Sequence, residues 1–188
     1  MKKLLVSGIC YFMLINLFAQ KNDTDPEGKV FFPAINLHPF MGVVPTEVNA
    51  LQYDSTVEYK IVVDISSKSS NSKKMNSSLK EAARIYNLSI ANGAPKENIK
   101  MALVIHGDAI DAIFNDQVYK KEYGIENPNT ELIKTLKINE VHLYVCGQNL
   151  GYKKIPIESL APEIEIALSA KTAFIVLDQK GYTYLRVN

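Results

Sequence analysis

Short apolar runs and amphipathic segments alternate along the chain from about residue 57 onward. Three runs rich in β-branched residues, at 59–65, 99–106 and 141–146, have the composition of buried strands. Two further runs, at 172–177 and 182–187, predict a fourth and a fifth strand. Because the runs are continuously apolar, helices are expected to cover both faces of the sheet.

Helical spacing separates these strands. Apolar residues at 79, 82, 83, 86 and 90 share one helical face, between a capping signal at 76–78 and a terminating Asn92-Gly93 pair. Helices or helical turns are also predicted at 109–114, 116–123, 129–138 and 157–168, and a flexible turn at 147–151. Strands that alternate with helices predict a three-layer α/β/α sandwich over 57–188, with a mostly parallel sheet of about five strands.

The first 56 residues have two different patterns. Lys2 and Lys3 precede an uncharged apolar stretch at 4–18, which predicts a secretory signal peptide at 1–19, cleaved after Ala19. An uncleaved anchor is the alternative, although about 15 apolar residues are few for a membrane-spanning helix. Residues 20–56 contain four prolines and predict an ordered Pro-rich arm. The mature protein is thus expected to be periplasmic, with no membrane span.

Net charge and cysteine content argue against nucleic-acid binding and against an internal disulfide. The formal net charge of +1 becomes −1 when the two lysines of the signal peptide are removed, so binding to nucleic acid is not expected. Cys10 lies in the signal peptide, which leaves Cys146 as the one cysteine of the mature chain. An exported chain with one cysteine has no internal disulfide, so its thiol is free, paired with another chain, or buried.

Two predicted strands end in polar residues. The second strand is followed by His106, Gly107 and Asp108, and the third ends with Cys146, Gly147 and Gln148. Ligands bind at the carboxyl ends of parallel strands, so these residues form the candidate site. His106 and Cys146 approach each other if their strands are neighbours.

The cysteine has a reactive and an inert interpretation. Backbone amides of the following turn, together with Lys153 and Lys154, would favour the thiolate, which is the nucleophilic form of cysteine. The alternative is that Cys146 is a small buried apolar residue at a strand end.

Other chemistries lack their sequence signatures. Three scattered histidines and one mature cysteine show no metal-ligand spacing, so no metal site is expected. The segment after the first strand contains no glycine, which argues against a phosphate-binding loop, and no cofactor is predicted. The sequence contains neither a Cys-x-x-Cys pair nor a Gly-x-Ser-x-Gly elbow.

Several motifs occur in the order and spacing of a known family. They are the residues at 59–64, those at 101–107, the Val-Cys-Gly-Gln stretch at 145–148, and the segments 160–170 and 179–182. Through these motifs the chain from about Glu58 to Asn188 resembles the DsrE/DsrF-like family, in particular its exported bacterial members.

The resemblance implies a small α/β sandwich that assembles into homotrimers or hexamers, with Cys146 as the reactive thiol. In the sulfur-relay members this thiol carries sulfur as a persulfide, so a sulfur donor or acceptor protein or a small thiol is the implied partner. Those members act in the cytoplasm and lack a Pro-rich arm, whereas this chain is predicted to be exported.

Three functions remain open at this point. In the first, Cys146 carries sulfane sulfur or has a thiol-redox role in a homo-oligomer. In the second, a non-catalytic module binds a small ligand at the strand ends, with His106, Asp108 and Gln148 as polar contacts. In the third, the protein is a structural oligomer whose arm wraps a neighbouring subunit.

Overall fold

The computed structural model describes residues 30–187, so the predicted signal peptide lies outside the described residues. The strands are β1 Tyr59–Ile65, β2 Ile99–Ile105, β3 His142–Cys146, β4 Glu165–Ala167 and β5 Thr183–Arg186. The α-helices are α1 Ser77–Ala91, α2 Asp116–Tyr123, α3 Thr130–Ile138, α4 Gly147–Lys153 and α5 Ala170–Gln179. Short 3-10 turns lie at Pro39–Met41, Lys96–Asn98, Gly107–Ile113 and Ile157–Ser159.

The strands form one sheet in the order β4-β3-β2-β1-β5, and all their pairings are parallel. The chain crosses the sheet from β1 to β4 and then returns to add β5 on the other side of β1. The strand order therefore reverses at β1, and the carboxyl ends of β1 and β5 flank a topological switch point. The predicted α/β sandwich with a parallel five-stranded sheet is confirmed.

The two faces of the sheet pack against different elements. On one face, the packed face, Ile61, Val63 and Ile65 of β1 join buried residues of α1, α3 and the arm in one large apolar cluster. On the opposite face, the α5 face, the cluster is small. Its buried members are Val62, Ala102, Val104, Cys146, Ala170 and Leu177. Helix α5 supplies the last two of these residues and covers this face.

The arm lies against α1 of its own chain. Phe31 and Val43 form an antiparallel bridge, and Ile35 and Met41 are fully buried. The buried side chain of Asn87 joins the arm to the helix, because it accepts hydrogen bonds from two arm amides and donates to two arm carbonyls. Residues 30–43 are thus part of the packed face.

The prediction for 157–168 is wrong, because this segment is not a helix. Only a 3-10 turn at Ile157–Ser159 forms, and Glu165–Ala167 is the edge strand β4. Pro156 and Pro162 restrict a continuous helix, while the alternation Glu163-Ile164-Glu165-Ile166 has the period of a strand.

The prediction of a fourth strand at 172–177 is also wrong, because these residues lie in α5. The Ser169 hydroxyl accepts a hydrogen bond from Thr172 N at 3.0 Å and caps the helix. A short apolar run fits a strand or a buried helix equally well, and here the cap decides between them.

The predicted flexible turn at 147–151 is α4, a helix that begins directly after β3. The other predicted strands are confirmed within one or two residues, as are the helices at 116–123 and 129–138. In the described part of the chain, no helix combines the length and the hydropathy that a membrane crossing requires.

Candidate functional site

Cys146 lies at the junction between β3 and α4. Its side chain is only 5% exposed, is not in a disulfide, and belongs to the apolar cluster of the α5 face. The ring of Phe174 and the side chain of Tyr144 pack against the same cluster. The thiol therefore lies near the carboxyl edge of the sheet and is shielded from solvent, in a cluster to which α5 contributes Ala170 and Leu177.

Gly147 is required by a close approach of two backbones. A Cβ atom at this position would lie 2.9 Å from the carbonyl oxygen of Ala167 and 3.3 Å from that of Leu168. The next residue, Gln148, donates its backbone N–H to the Leu168 carbonyl at 3.2 Å. The β4–α5 connection thus lies directly on the start of α4, beside Cys146.

His106 follows β2 and belongs to a polar group that we call the Asp64 cluster, which comprises Asp64, His106 and Tyr184. His106 Nε2 lies 2.7 Å from Asp64 Oδ1, and the Tyr184 hydroxyl donates to Asp64 Oδ2 at 2.5 Å. Asp64 is only 7% exposed. The hydrogen bond to Asp64, followed by burial, raises the pKa of the Tyr184 hydroxyl.

Helix α5 also contributes to the surroundings of the Asp64 cluster. The Phe174 ring makes edge-to-face contacts with His106 and Tyr184, with ring centroids 6.3 Å and 5.1 Å apart. The same ring packs against the cluster that contains Cys146. Phe174 therefore contacts the Asp64 cluster and also packs against the apolar cluster that contains the thiol.

The backbone turn after His106 is held by α4. Gly107 has a φ of +60°, and its N–H donates to Asn149 Oδ1 at 3.2 Å. Lys153 Nζ donates to the Gly107 carbonyl at 2.9 Å and to Asp108 Oδ1 at 3.0 Å. The Lys153 ammonium lowers the pKa of the Asp108 carboxyl.

The ion pair with Asp108 alters the predicted role of Lys153, which was to favour the Cys146 thiolate by its positive charge. Its ammonium is paired with Asp108, and this pairing offsets the positive field that was expected to favour the thiolate. Lys153 and Asn149 instead connect α4 to the end of β2.

The structure brings the predicted site residues to one edge of the sheet. Strands β2 and β3 are neighbours, and Ile105 pairs with Val145, so His106 and Cys146 occupy the next positions on adjacent strands. Both side chains lie on the α5 face, since Val104 and Cys146 share its cluster and His106 follows Val104 by two extended residues. Among residues 30–187, no hydrogen bond joins the Cys146 thiol to the His106 ring.

Asp64 and Tyr184 were not identified from the sequence. Asp64 is the one carboxylate inside the apolar run at 59–65, and a charged residue in a buried strand is a signal of a paired polar group. Tyr184 lies on β5, which neighbours β1 only because the strand order reverses. No sequence signal indicated that contact.

A second polar cluster joins the loop after β1 to the 3-10 turn after β2 and to the end of α2. Lys68 Nζ is 2.9 Å from Asp111 Oδ2 and lies over the ring of Tyr123, whose hydroxyl also donates to Asp111. The hydrogen bond to Asp111 raises the pKa of Lys68. The cluster borders a cavity of about 190 Å³ that does not include Cys146 or the Asp64 cluster.

Metal binding has no candidate residues in the part of the chain that the structure describes. Within 30–187, no three side chains of histidine, cysteine, aspartate or glutamate converge on a common point.

Two solved structures have a similar fold. The "Protein of Unknown Function MTH1491" from Methanobacterium thermoautotrophicum is 13% identical, with a TM-score of 0.52, and the match covers 69% of this chain and 100% of that one. The ychN protein from E. coli is 18% identical, with a TM-score of 0.51, and the match covers 69% of this chain and 99% of that one. These likenesses concern the fold alone.

No curated protein matches the chain significantly. The model of the DsrE/DsrF-like family matches residues 60–187, a segment that contains the whole sheet except its first residue and includes both Cys146 and the Asp64 cluster. The chain therefore belongs to the DsrE/DsrF-like family.

Proposed function

We propose that this protein is an exported, homo-oligomeric sulfur carrier in which Cys146 holds sulfane sulfur as a persulfide. The observation that carries the proposal is the free thiol at the end of an interior strand, on the same face and edge as the Asp64 cluster. Membership in the DsrE/DsrF-like family supports the same role.

The transfer reaction is balanced without any other oxidant or reductant. The Cys146 thiolate attacks the outer sulfur of a donor persulfide, R–S–SH, and a new S–S bond forms. The S–S bond of the donor breaks, and the thiolate R–S⁻ leaves and takes up a proton. The products are the Cys146 persulfide and the thiol R–SH, so the donor is either a persulfidated protein or a small thiol that carries sulfane sulfur.

Mass spectrometry of the peptide that contains Cys146 tests this proposal. After incubation with glutathione persulfide, the peptide is expected to gain the mass of one sulfur atom, and dithiothreitol should remove it. A Cys146→Ser variant is the control and should gain nothing. Addition of oxygen alone, in the presence of peroxide, would instead indicate a thiol-redox role.

We also propose that the partner on the α5 face is a second copy of this chain. Exposed apolar side chains continue across α5 and β4, with Leu168 72% exposed and Ile175 63% exposed. Beside them a groove of about 420 Å³ is lined by Tyr144 of β3, Ala167 of β4 and residues of α5 that include Val176. Neighbouring exposed apolar side chains on one face are typical of a protein interface.

Light scattering of substituted proteins tests the assembly. Ile175→Glu with Val176→Glu is expected to convert the oligomer to monomer, because two charges would be buried in the contact. Val48→Glu is the matched control, since Val48 is an equally apolar exposed residue on the arm. An oligomer that survives both changes would contradict an interface on the α5 face.

Export depends on the segment at 1–19, and N-terminal sequencing tests it. Protein recovered from the periplasm is expected to begin at Gln20. A chain that begins at Met1 and sediments with membranes would instead indicate an uncleaved anchor.

A further inference from the structure

The Asp64 cluster places a carboxylate in an apolar layer, which lowers the stability of the fold unless the carboxylate has hydrogen-bond partners. Asp64 lies between Val62 and the end of β1 on the α5 face, and its two oxygens are both occupied, one by His106 and one by Tyr184. Burial of a carboxylate without such partners is strongly unfavourable. The three residues come from β1, β5 and the residue after β2, so they meet only in the folded sheet.

The hydrogen bond to Asp64 orients the imidazole ring of His106. Because the carboxylate accepts from Nε2–H, the neutral ring has Nδ1 as its unprotonated nitrogen. Among the described residues, Nδ1 has no hydrogen-bond partner. A histidine whose one nitrogen is held by a buried carboxylate, and whose other nitrogen is free, has the arrangement of a general base.

The thiol lies on the neighbouring strand at the matching position. His106 and Cys146 follow the paired residues Ile105 and Val145, and adjacent strands are about 4.8 Å apart. The Phe174 ring makes an edge-to-face contact with His106 and packs against the apolar cluster that contains Cys146. The two side chains therefore start from neighbouring backbone positions on the same face of the sheet.

We propose that His106 accepts the proton of the Cys146 thiol, and that Asp64 and Tyr184 are positioning residues that hold the ring for this transfer. The inference rests on the proposed role of Cys146. The S–H bond breaks, its electron pair stays on sulfur, and the proton binds Nδ1 of His106. After the thiolate has taken sulfur from the donor persulfide, the leaving thiolate R–S⁻ receives that proton.

Other charged groups face this part of the sheet and would contribute to its pH dependence. They are Asp64 on β1, Arg186 and Tyr184 on β5, and the Lys153–Asp108 pair at the turn after β2, while α5 contributes the uncharged Phe174 ring. Variants of the Asp64 cluster must therefore be compared over a range of pH and not at one value.

The test is the rate at which iodoacetamide labels Cys146 in the full-length protein between pH 5 and pH 10, followed on the peptide that contains Cys146. For His106→Asn, labelling at pH 7 is expected to be at least tenfold slower than for the wild-type chain. Asp64→Asn should slow it several-fold and Tyr184→Phe by less. All rates should converge near pH 10, where hydroxide removes the thiol proton without a base.

His142→Gln is the matched control, because His142 is also paired with a carboxylate, Glu165, but lies at the opposite end of β3. Its labelling profile is expected to follow the wild-type profile. A purely structural effect of His106→Asn would change the rate at pH 10 as well, and circular dichroism of each variant checks the fold. The Tyr184→Phe variant keeps the test valid if a substitution at Asp64 unfolds the chain.

Profiles of wild type and His106→Asn that superimpose at every pH would overturn the inference. The persulfide experiment separates this result from failure of the proposed function. If the wild-type chain gains sulfur and His106→Asn gains it equally fast at pH 7, the general-base role of His106 is wrong and the sulfur-carrier role of Cys146 is supported. If labelling depends on His106 but no sulfur is ever gained, the general-base role is supported and the sulfur-carrier role is wrong. A wild-type thiol that reacts with neither reagent at any pH would overturn both.

Discussion

The two faces of the sheet differ in how they are covered and in what they contain. The packed face is covered by the arm, α1 and α3, and its cluster consists of buried apolar side chains in close contact. Among residues 30–187, the α5 face is covered by α5, and it contains a carboxylate, an imidazole and a thiol within or beside its small apolar cluster. The α5 face therefore holds the titratable groups, whereas the buried polar side chain that joins the arm to the packed face, Asn87, is an uncharged amide.

This difference has a physical cause. An unpaired charge on the enclosed packed face would be very unfavourable, and the buried Asn87 there is uncharged and has its hydrogen-bond partners in the arm. On the α5 face the buried carboxylate of Asp64 is tolerated because both of its oxygens have partners, one of which, Tyr184, is about half exposed. The packed face should thus determine stability, and the α5 face should determine reactivity. The following substitutions test that division.

The largest effect is expected from Leu103→Ala on the packed face. Leu103 is fully buried, so loss of its side chain should lower the free energy of unfolding by about 3–4 kcal/mol. Leu177→Ala, the same change on the α5 face, should lower it by about 2 kcal/mol, because the partly open site relaxes or hydrates. Urea unfolding measures both values, and equal losses would contradict the proposed division.

The second effect concerns the attachment of the arm to the packed face. Asn87→Ala leaves four arm backbone groups without their partner and should cost about 2–3 kcal/mol, with faster proteolysis of the arm. Asn92→Ala removes a less buried amide that bonds Asn49 and Leu51, and it should cost less than about 1 kcal/mol. Similar losses for the two variants would show that the buried amide has no special role.

A smaller effect is expected at the edge of the α5 face. Gly147→Ala introduces a Cβ against the carbonyl of Ala167, so the free energy of unfolding should fall by about 1–2 kcal/mol. Iodoacetamide labelling of Cys146 should become faster, because the β4–α5 connection must move. Gly151→Ala in the same helix meets no atom within 4 Å and should be neutral or slightly stabilising. Unchanged labelling in Gly147→Ala would argue that this connection does not shield the thiol.

The smallest effect is the pH dependence that Tyr184 contributes. Its pKa is raised above the ordinary value of 10.0, so the unfolded chain loses the phenolic proton first as the pH rises. The stabilisation by the Tyr184–Asp64 hydrogen bond is therefore complete below about pH 10 and is lost as the pH rises through the folded-state pKa. Because Tyr184 is about half exposed, its contribution should be below about 1 kcal/mol.

Urea unfolding of the wild-type chain and of Tyr184→Phe between pH 7 and pH 11 measures this contribution. The wild-type chain should be the more stable at pH 7, and the difference should disappear toward pH 11. Tyr152→Phe, at an exposed position on α4, is the control and should show no such trend. A difference that is constant over this range would mean that the hydroxyl is not stabilised by Asp64.

The two wrongly predicted segments share one feature. The segment at 157–168 contains the edge strand β4 and the segment at 172–177 lies within α5, and in both a short apolar run fits either a helix or a strand. The central strands β1 and β2 were identified nearly to the residue, because both of their sides are buried and their apolar runs are long. A long apolar run identifies a strand that is buried on both faces, whereas for a short run near the sheet edge the local capping residues decide between helix and strand.

The candidate site was predictable only in part. His106 and Cys146 were identified because polar residues at strand ends are visible in the sequence, but their adjacency required the order of β2 and β3. Asp64 and Tyr184 are 120 positions apart, and their contact depends on the reversal of strand order at β1. No local pattern contains that information.

By itself, the sequence determined the parallel α/β class, the main strands, and the position of Cys146 at the end of one of them. These features depend on hydrophobic period and on residue type, which are local properties of the chain. The tertiary structure decided that β5 lies beside β1, that α5 packs on the face that contains Cys146, and that a buried carboxylate holds His106. Those features depend on the order in which strands pair, and that order is fixed by the free energy of the whole packed sheet rather than by any segment of it.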